Sequence, residues 1–169
     1  MAKTALETIA SGITQATSGD AWYGSATLRL VSDLTAAQAV MRPAAGGHSV
    51  WEILLHASAW RREVLARVSG ALAQTPVDGD WPAVGEVTDT AWTRVQAEYA
   101  ALGERLAQAV AAAPDDVWSA MVGRERSPEL GTGVTVGAMI VGIVQHDAYH
   151  SGQIALLRKQ ILDSPDQAT

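Results

Sequence analysis

With 169 residues, 48% of them apolar and 18% charged, the chain suits one well-packed domain, residues 1–169, and not a disordered segment. Twelve basic against eighteen acidic residues give a net charge of −6, the wrong sign for clamping phosphate backbones, so nucleic acid is not an expected partner. Cysteine is absent, which excludes disulfides, thiolate zinc sites and a cysteine nucleophile.

Helical periodicity dominates along the chain, and no strand alternation stands out. Leu6, Ile9 and Ile13 open an amphipathic first helix; SGDAWYG interrupts it before Leu28, Val31 and Leu34 resume the pattern. RPAAGG, Arg42 to Gly47, is a break. A second helix starts at Ser49, where Ser49 and Glu52 have capping-box spacing, and runs through Ile53, Leu54, Ala57, Trp60 and Val64 to about Gly70. TPVDGDWP, Thr75 to Pro82, is a loop. A third helix carries Trp92, Val95, Tyr99, Leu102, Leu106 and Ala109 at three-four spacing. A polar, glycine-rich connection spans about 113–133, with a possible helical turn at Asp116 to Met121. The fourth helix begins near Thr135 as N-cap and runs to about Leu162. The expectation is an all-α fold, a four-helix bundle. No apolar run reaches the ~18 residues of a membrane span, and MAKTALETIASG lacks a signal peptide's apolar core. No membrane partner and a cytoplasmic location are therefore expected.

The chemistry-bearing segment is HDAYHSGQI. His146 and His150 lie four apart, sharing a helix face with β-carbons about 5–6 Å apart, and two imidazoles so placed can ligate one metal ion. His150 falls in the middle of the apolar stripe of Val136, Met139, Ile143, Ile154, Leu157 and Ile161, with His146 at its edge. His56, in WEILLHASAW, is available as a third. Spacing alone leaves a second reading open, a hydrogen-bonded core pair. The HExxH pattern fails because Asp147 stands where its glutamate belongs, and the ExxH motifs of di-iron bundles are missing. Around the pair, Tyr149 and Gln153 are candidate hydrogen-bond donors to substrate. Asp147 is a candidate partner for an imidazole N–H, or else a surface or interface charge. Glu52 is a candidate base or ligand-orienting group, although the cap already accounts for it. Trp60 and Trp51 are candidate pocket walls, with core packing as the ordinary alternative. Trp22, Trp81 and the 113–133 connection are candidates for the substrate entrance. His48, just before the Ser49 cap, reads as a solvent-facing or cap residue.

The runs GGHSVWEILLHASAWRREVLARVSG and GIVQHDAYHSGQIALLRK, with AWYGSATLRLVSDL near the start, resemble the DinB/YfiT-like family of metalloenzymes. The paired pattern W-E-x-x-x-H and H-D-x-Y-H-x-G-Q is more specific than either half, and the similarity covers nearly the whole chain. The resemblance implies a homodimeric four-helix bundle in which His56, His146 and His150 hold one divalent ion: Zn, Ni, Fe or Mn, with Cu also within reach of imidazole. It further implies a small-molecule hydrolase, or an S-transferase that uses a low-molecular-weight thiol of the bacillithiol or mycothiol type. A stress-response bundle that binds a metal or small ligand without turnover is the other expectation.

Overall fold

The computed structural model describes residues 2–163; residue 1 and residues 164–169, the ends of the expected domain, lie outside the described residues. Four long helices carry the fold: α1 (Ala2–Thr17), α4 (Val50–Val68), α5 (Asp89–Ala112) and α6 (Val136–Leu162). Two short ones, α2 (Thr27–Val31) and α3 (Ala36–Ala39), lie between α1 and α4. The long helices pack as a closed ring, α1 on α5, α5 on α4, α4 on α6 and α6 on α1, which makes the architecture the expected four-helix bundle.

Helix limits follow from local chemistry. The Ser49 hydroxyl accepts from the Glu52 amide at 3.2 Å while Glu52 Oε2 accepts from the Ser49 amide at 2.9 Å, the reciprocal box that satisfies two orphan donors. Thr88 and Thr135 cap α5 and α6 by accepting from the Ala91 and Ala138 amides. At its far end α5 stops at Ala113, extended at φ −66, ψ 136 because Pro114 follows.

Two features differ from the sequence reading. A four-residue helix, α3, forms on a capping box between Thr35 and Gln38. Two-residue strands β1 (Met121–Val122) and β2 (Val134–Thr135) pair antiparallel, and the expected turn before them is a 3₁₀ segment, Asp115–Ser119. Elements of two to four residues are too short to display a period. Gly133, at φ +69, closes the β1–β2 connection by donating its amide to the Val122 carbonyl at 2.8 Å. A Cβ there would lie 2.7 Å from the Arg126 Cα.

The apolar core falls into two halves. One gathers Val31, Trp51, Leu54, Trp92, Tyr99 and Ile154; the other gathers Ile13, Val64, Leu106, Val110, Ile140 and Ile143. Between the halves on α4, α5 and α6 sit Arg61, Gly103 and Asp147, and α1 adds Thr17 at its end. Arg61 of α4, with no exposed surface, bonds Asp147 of α6 through Nη2 at 2.7 Å and Nε at 3.1 Å, Thr17 Oγ1 of α1 at 2.9 Å, and the Tyr99 carbonyl of α5 at 3.1 Å. Its guanidinium lies 3.7 Å from the Tyr99 ring centroid. Gly103 of α5 makes this approach possible, since a Cβ there would sit 2.4 Å from Thr17 Oγ1 and 2.8 Å from Arg61 Nη1. The network continues from the Tyr99 hydroxyl to Thr27 at 3.1 Å and from Thr27 to Ser151 at 2.8 Å.

Breaking this pair should be far worse than replacing it whole. Arg61→Ala strands the Asp147 charge and is expected to cost about 3–5 kcal/mol. The double replacement Arg61→Met with Asp147→Leu should recover most of that loss. Equilibrium unfolding in guanidinium chloride measures both; equal losses in the single and double variants would disprove the assignment.

Candidate metal centre

His56 projects from α4, and His146 and His150 from successive turns of the neighbouring α6. Their Nε2 atoms converge: His146 Nε2 stands 3.0 Å from His56 Nε2 and 3.1 Å from His150 Nε2. All three donor atoms lie within 4.8 Å of one another. Nitrogens bound at ~2.0–2.1 Å to one tetrahedral ion are roughly 3.3–3.4 Å apart, so the two short separations open by a few tenths of an ångström, and the His56–His150 pair adjusts within its 4.8 Å limit, to admit one.

The outer ring nitrogens fix where the protons are. His56 Nδ1 is 2.6 Å from the Asp80 carbonyl oxygen, which can only accept, so Nδ1 carries the proton and Nε2 is a bare lone pair. His150 Nδ1 donates to Gln153 Oε1 at 2.7 Å, and Gln153 Nε2 donates to the Tyr149 hydroxyl at 3.1 Å. Its Nε2 is bare as well. His146 Nε2, between the two, can donate a proton to only one of them, and His146 Nδ1 is buried without a hydrogen-bond partner. Lone pairs outnumber protons at the centre. A donor set of this kind fits a cation.

Burial also selects the ligating charge state. It pushes His146 down to about 3, helped by the two neighbouring imidazoles. His150 is pushed down to about 4, again by burial first, with the Gln153 bond opposing it. His56 is lowered by burial although the Asp80 carbonyl opposes the shift. All three are neutral at pH 7, the form that binds a metal ion.

A sequence model of the DinB superfamily matches residues 22–154. The chain belongs to the DinB superfamily. No curated protein and no solved structure matches it. The matched span holds all three histidines of the cluster.

In this DinB-superfamily chain the loop between α4 and α5 does much of the positioning. Trp60 Nε1 donates to Asp80 Oδ1 at 2.6 Å, Arg62 to Asp78 Oδ2 at 2.6 Å, and Arg67 to the Gln74 carbonyl at 3.0 Å, which fastens the loop along one face of α4. Trp81 is thereby laid flat between His48 and His56, at centroid distances of 3.5 and 4.0 Å. Neither Asp80 nor this stacking role of Trp81 and His48 is visible in the sequence; the signal is a tryptophan inside an otherwise polar loop.

The other expected residues divide. Trp60 borders the cluster and lines a cleft of about 440 Å³ that reaches His56 and His146; Arg126 and Pro128–Gly131 of the 113–133 connection line it too. Gln153 and Tyr149 border a separate cleft of about 490 Å³ that reaches His150. Gln153 spends its amide on His150 and Tyr149, so it orients a ring rather than offering a free donor. Trp51 does not wall either cleft: it is buried against Trp92 at 5.1 Å. Five residues separate it from His56, about 140° around the helix. Asp147 is bonded to no imidazole and is no surface charge, being 1% exposed and paired with Arg61. Glu52 is the cap, held also by Arg42; burial opposes its ionisation, yet Arg42 and Ser49 hold it down at about 2, far too acidic for a base at neutral pH. Trp22 is fully exposed and borders neither cleft.

The depressed histidines set an acid dependence of stability. An unfolded histidine binds a proton near ~6.5, whereas folded His146 does so only near about 3. Between those values the unfolded chain holds more protons, so the stabilisation is complete above pH ~6.5 and is lost progressively as pH falls toward 3. Metal-free protein should show a lower denaturation midpoint at pH 5 than at pH 7.5, and His146→Gln should flatten that difference. An unchanged pH slope in the variant would refute the neutral assignment.

Proposed function

We propose that this chain is a metal-dependent enzyme acting on a small molecule, with one divalent ion held by His56, His146 and His150. The observation that carries the reading is the convergence of three Nε2 atoms with too few protons to satisfy them, two of the rings being locked from outside with their lone pairs inward. An ion held by three neutral imidazoles keeps its full +2 charge and acidifies a bound water or thiol.

The chain's own residues supply the frame for that chemistry. The Asp80 carbonyl and Gln153 hold the outer protons of His56 and His150, which fixes ring orientation and raises ligand basicity. Trp81 covers one face of His56 and keeps water from it. Hydrolysis and thiol transfer both suit such a centre. Two clefts with no residue in common reach the cluster, and this favours a reaction of two molecules, the transfer of a low-molecular-weight thiol to an electrophile. With no cysteine in the chain, the thiol arrives on the co-substrate. The competing reading is a bundle that holds a metal or small ligand without turnover. A homodimer in the cytoplasm belongs to the same proposal.

Protein purified without chelator should contain close to one metal per chain by inductively coupled plasma mass spectrometry. His56→Ala and His150→Ala should both lose it while keeping helical circular dichroism. A wild type that takes up no metal after reconstitution with several divalent ions would sink the proposal. Turnover on ester, amide, epoxide or thiol-conjugation substrates separates an enzyme from a binding protein, which would retain its ligand without converting any of them. Gln153→Leu frees the His150 ring and should weaken metal affinity roughly 10-fold or more, read by competition with a chromogenic chelator; unchanged affinity would remove Gln153 from its positioning role.

A further inference from the structure

We infer that the reactant seated in the cleft beside His56 and His146 is a neutral, largely apolar small molecule, and that Gly142 sets the size it can have. The inference rests on the metal-site reading for where the molecule reacts, but the cleft stands on its own geometry.

That cleft, of about 440 Å³, is within the range that takes a drug-sized ligand. Its walls include Val64, Val134, Met139 and Ile143, with Trp60 at the histidine end. Three of these, Val64, Met139 and Ile143, are core residues whose remaining surface faces the cleft. The charges around it cancel. Arg67 is neutralised by Glu63 at 2.8 Å and spends its other nitrogens on the Leu130 and Gln74 carbonyls. Arg126 and Glu129, both exposed, bring opposite signs to the rim. Asp80, at the histidine end, is the one charge among the described residues without an opposite partner along the cleft, and its Oδ1 is engaged by Trp60 Nε1 at 2.6 Å and lies 3.3 Å from His56 Nδ1. Nothing along the cleft selects an anion or a cation.

Gly142 precedes His146 by one turn on the same face of α6 and lines this cleft. A Cβ built on it meets no atom within 4 Å. A side chain at residue 142 would therefore project into open space, and a long one would take up part of the cleft beside His146. Glycine is unfavourable inside a helix compared with almost any other residue, so filling the position leaves α6 intact.

The test uses zinc-loaded wild type, Gly142→Ala and Gly142→Leu with two hydroxamates, acetohydroxamate and 4-phenylbutyrohydroxamate, titrated by calorimetry. Wild type should bind the longer probe at least roughly 10-fold tighter, the order of discrimination that an apolar pocket gives for added methylenes. Gly142→Leu should erase that preference, and Gly142→Ala should reduce it, with metal content unchanged. Equal affinity of wild type for both probes, or a preference that survives Gly142→Leu, overturns the inference. A metal-free arm separates the two readings: 4-phenylbutanol, which has no metal-binding group, should perturb the NMR signals of Val64, Met139 and Ile143 in wild type but not in Gly142→Leu. A protein that takes up no zinc yet keeps this Gly142-dependent binding loses the metal reading and retains the cleft. Identical perturbations in both proteins overturn the cleft assignment itself.

Discussion

The buried guanidinium of Arg61 is the constraint on which the arrangement of the bundle turns. A charge with no exposed surface costs several kcal/mol unless paired and fully hydrogen-bonded, and here the partners come from every other long helix: Thr17, Tyr99 and Asp147. Apolar contacts alone tolerate sliding and rotation, whereas this layer admits one height and one azimuth for each helix. For α6 the consequence is chemical. Once Asp147 must face Arg61, the helical period places His146 and His150 about 100° and 60° away on the same side of it. The ion pair thus aims both imidazoles at the flank where α4 presents His56.

The polar layer and the histidine cluster manage burial in opposite ways. Arg61 and Asp147 retain charge by pairing, with the guanidinium serving three helices. The histidines stay uncharged: burial and mutual repulsion disfavour protonation, and acceptors hold the outer protons of His56 and His150. Three neutral rings thus converge nitrogen to nitrogen within packed surroundings. Such preorganisation lowers the reorganisation that an incoming ion would otherwise demand.

What the sequence disclosed tracks how each element earns its stability. The long helices announce themselves because their apolar faces recur every three to four residues, as in Trp92, Tyr99, Leu102 and Leu106, and because Ser49 and Glu52 spell a cap. The pair at His146 and His150 is legible for the same reason, since one turn of helix brings i and i+4 together. His56 is ninety residues upstream in the chain; only packing of α4 on α6, or the family resemblance, joins it to the pair. The polar layer was hidden because Arg61 and Asp147 look like surface residues when partners on other helices cannot be seen. Trp51 takes the ordinary alternative, core packing, because helical phase turns it away from His56, while a loop with no period carries the distant Trp81 onto that ring. Least legible of all is the Asp80 carbonyl, a group that every residue type possesses.

That last point separates the two locked histidines. His150 is oriented by a side chain, so an exchange at residue 153 in a relative can strengthen, weaken or delete its outer bond in a single step. His56 is oriented by main chain, and no exchange at residue 80 deletes that carbonyl. Its bond responds only to the path of the loop, set by distant anchors such as the Arg62–Asp78 and Arg67–Gln74 contacts. Variation among related chains therefore has independent controls over one centre: a coarse one in the loop's length and anchoring, which moves His56, and a fine one in the residue beside His150.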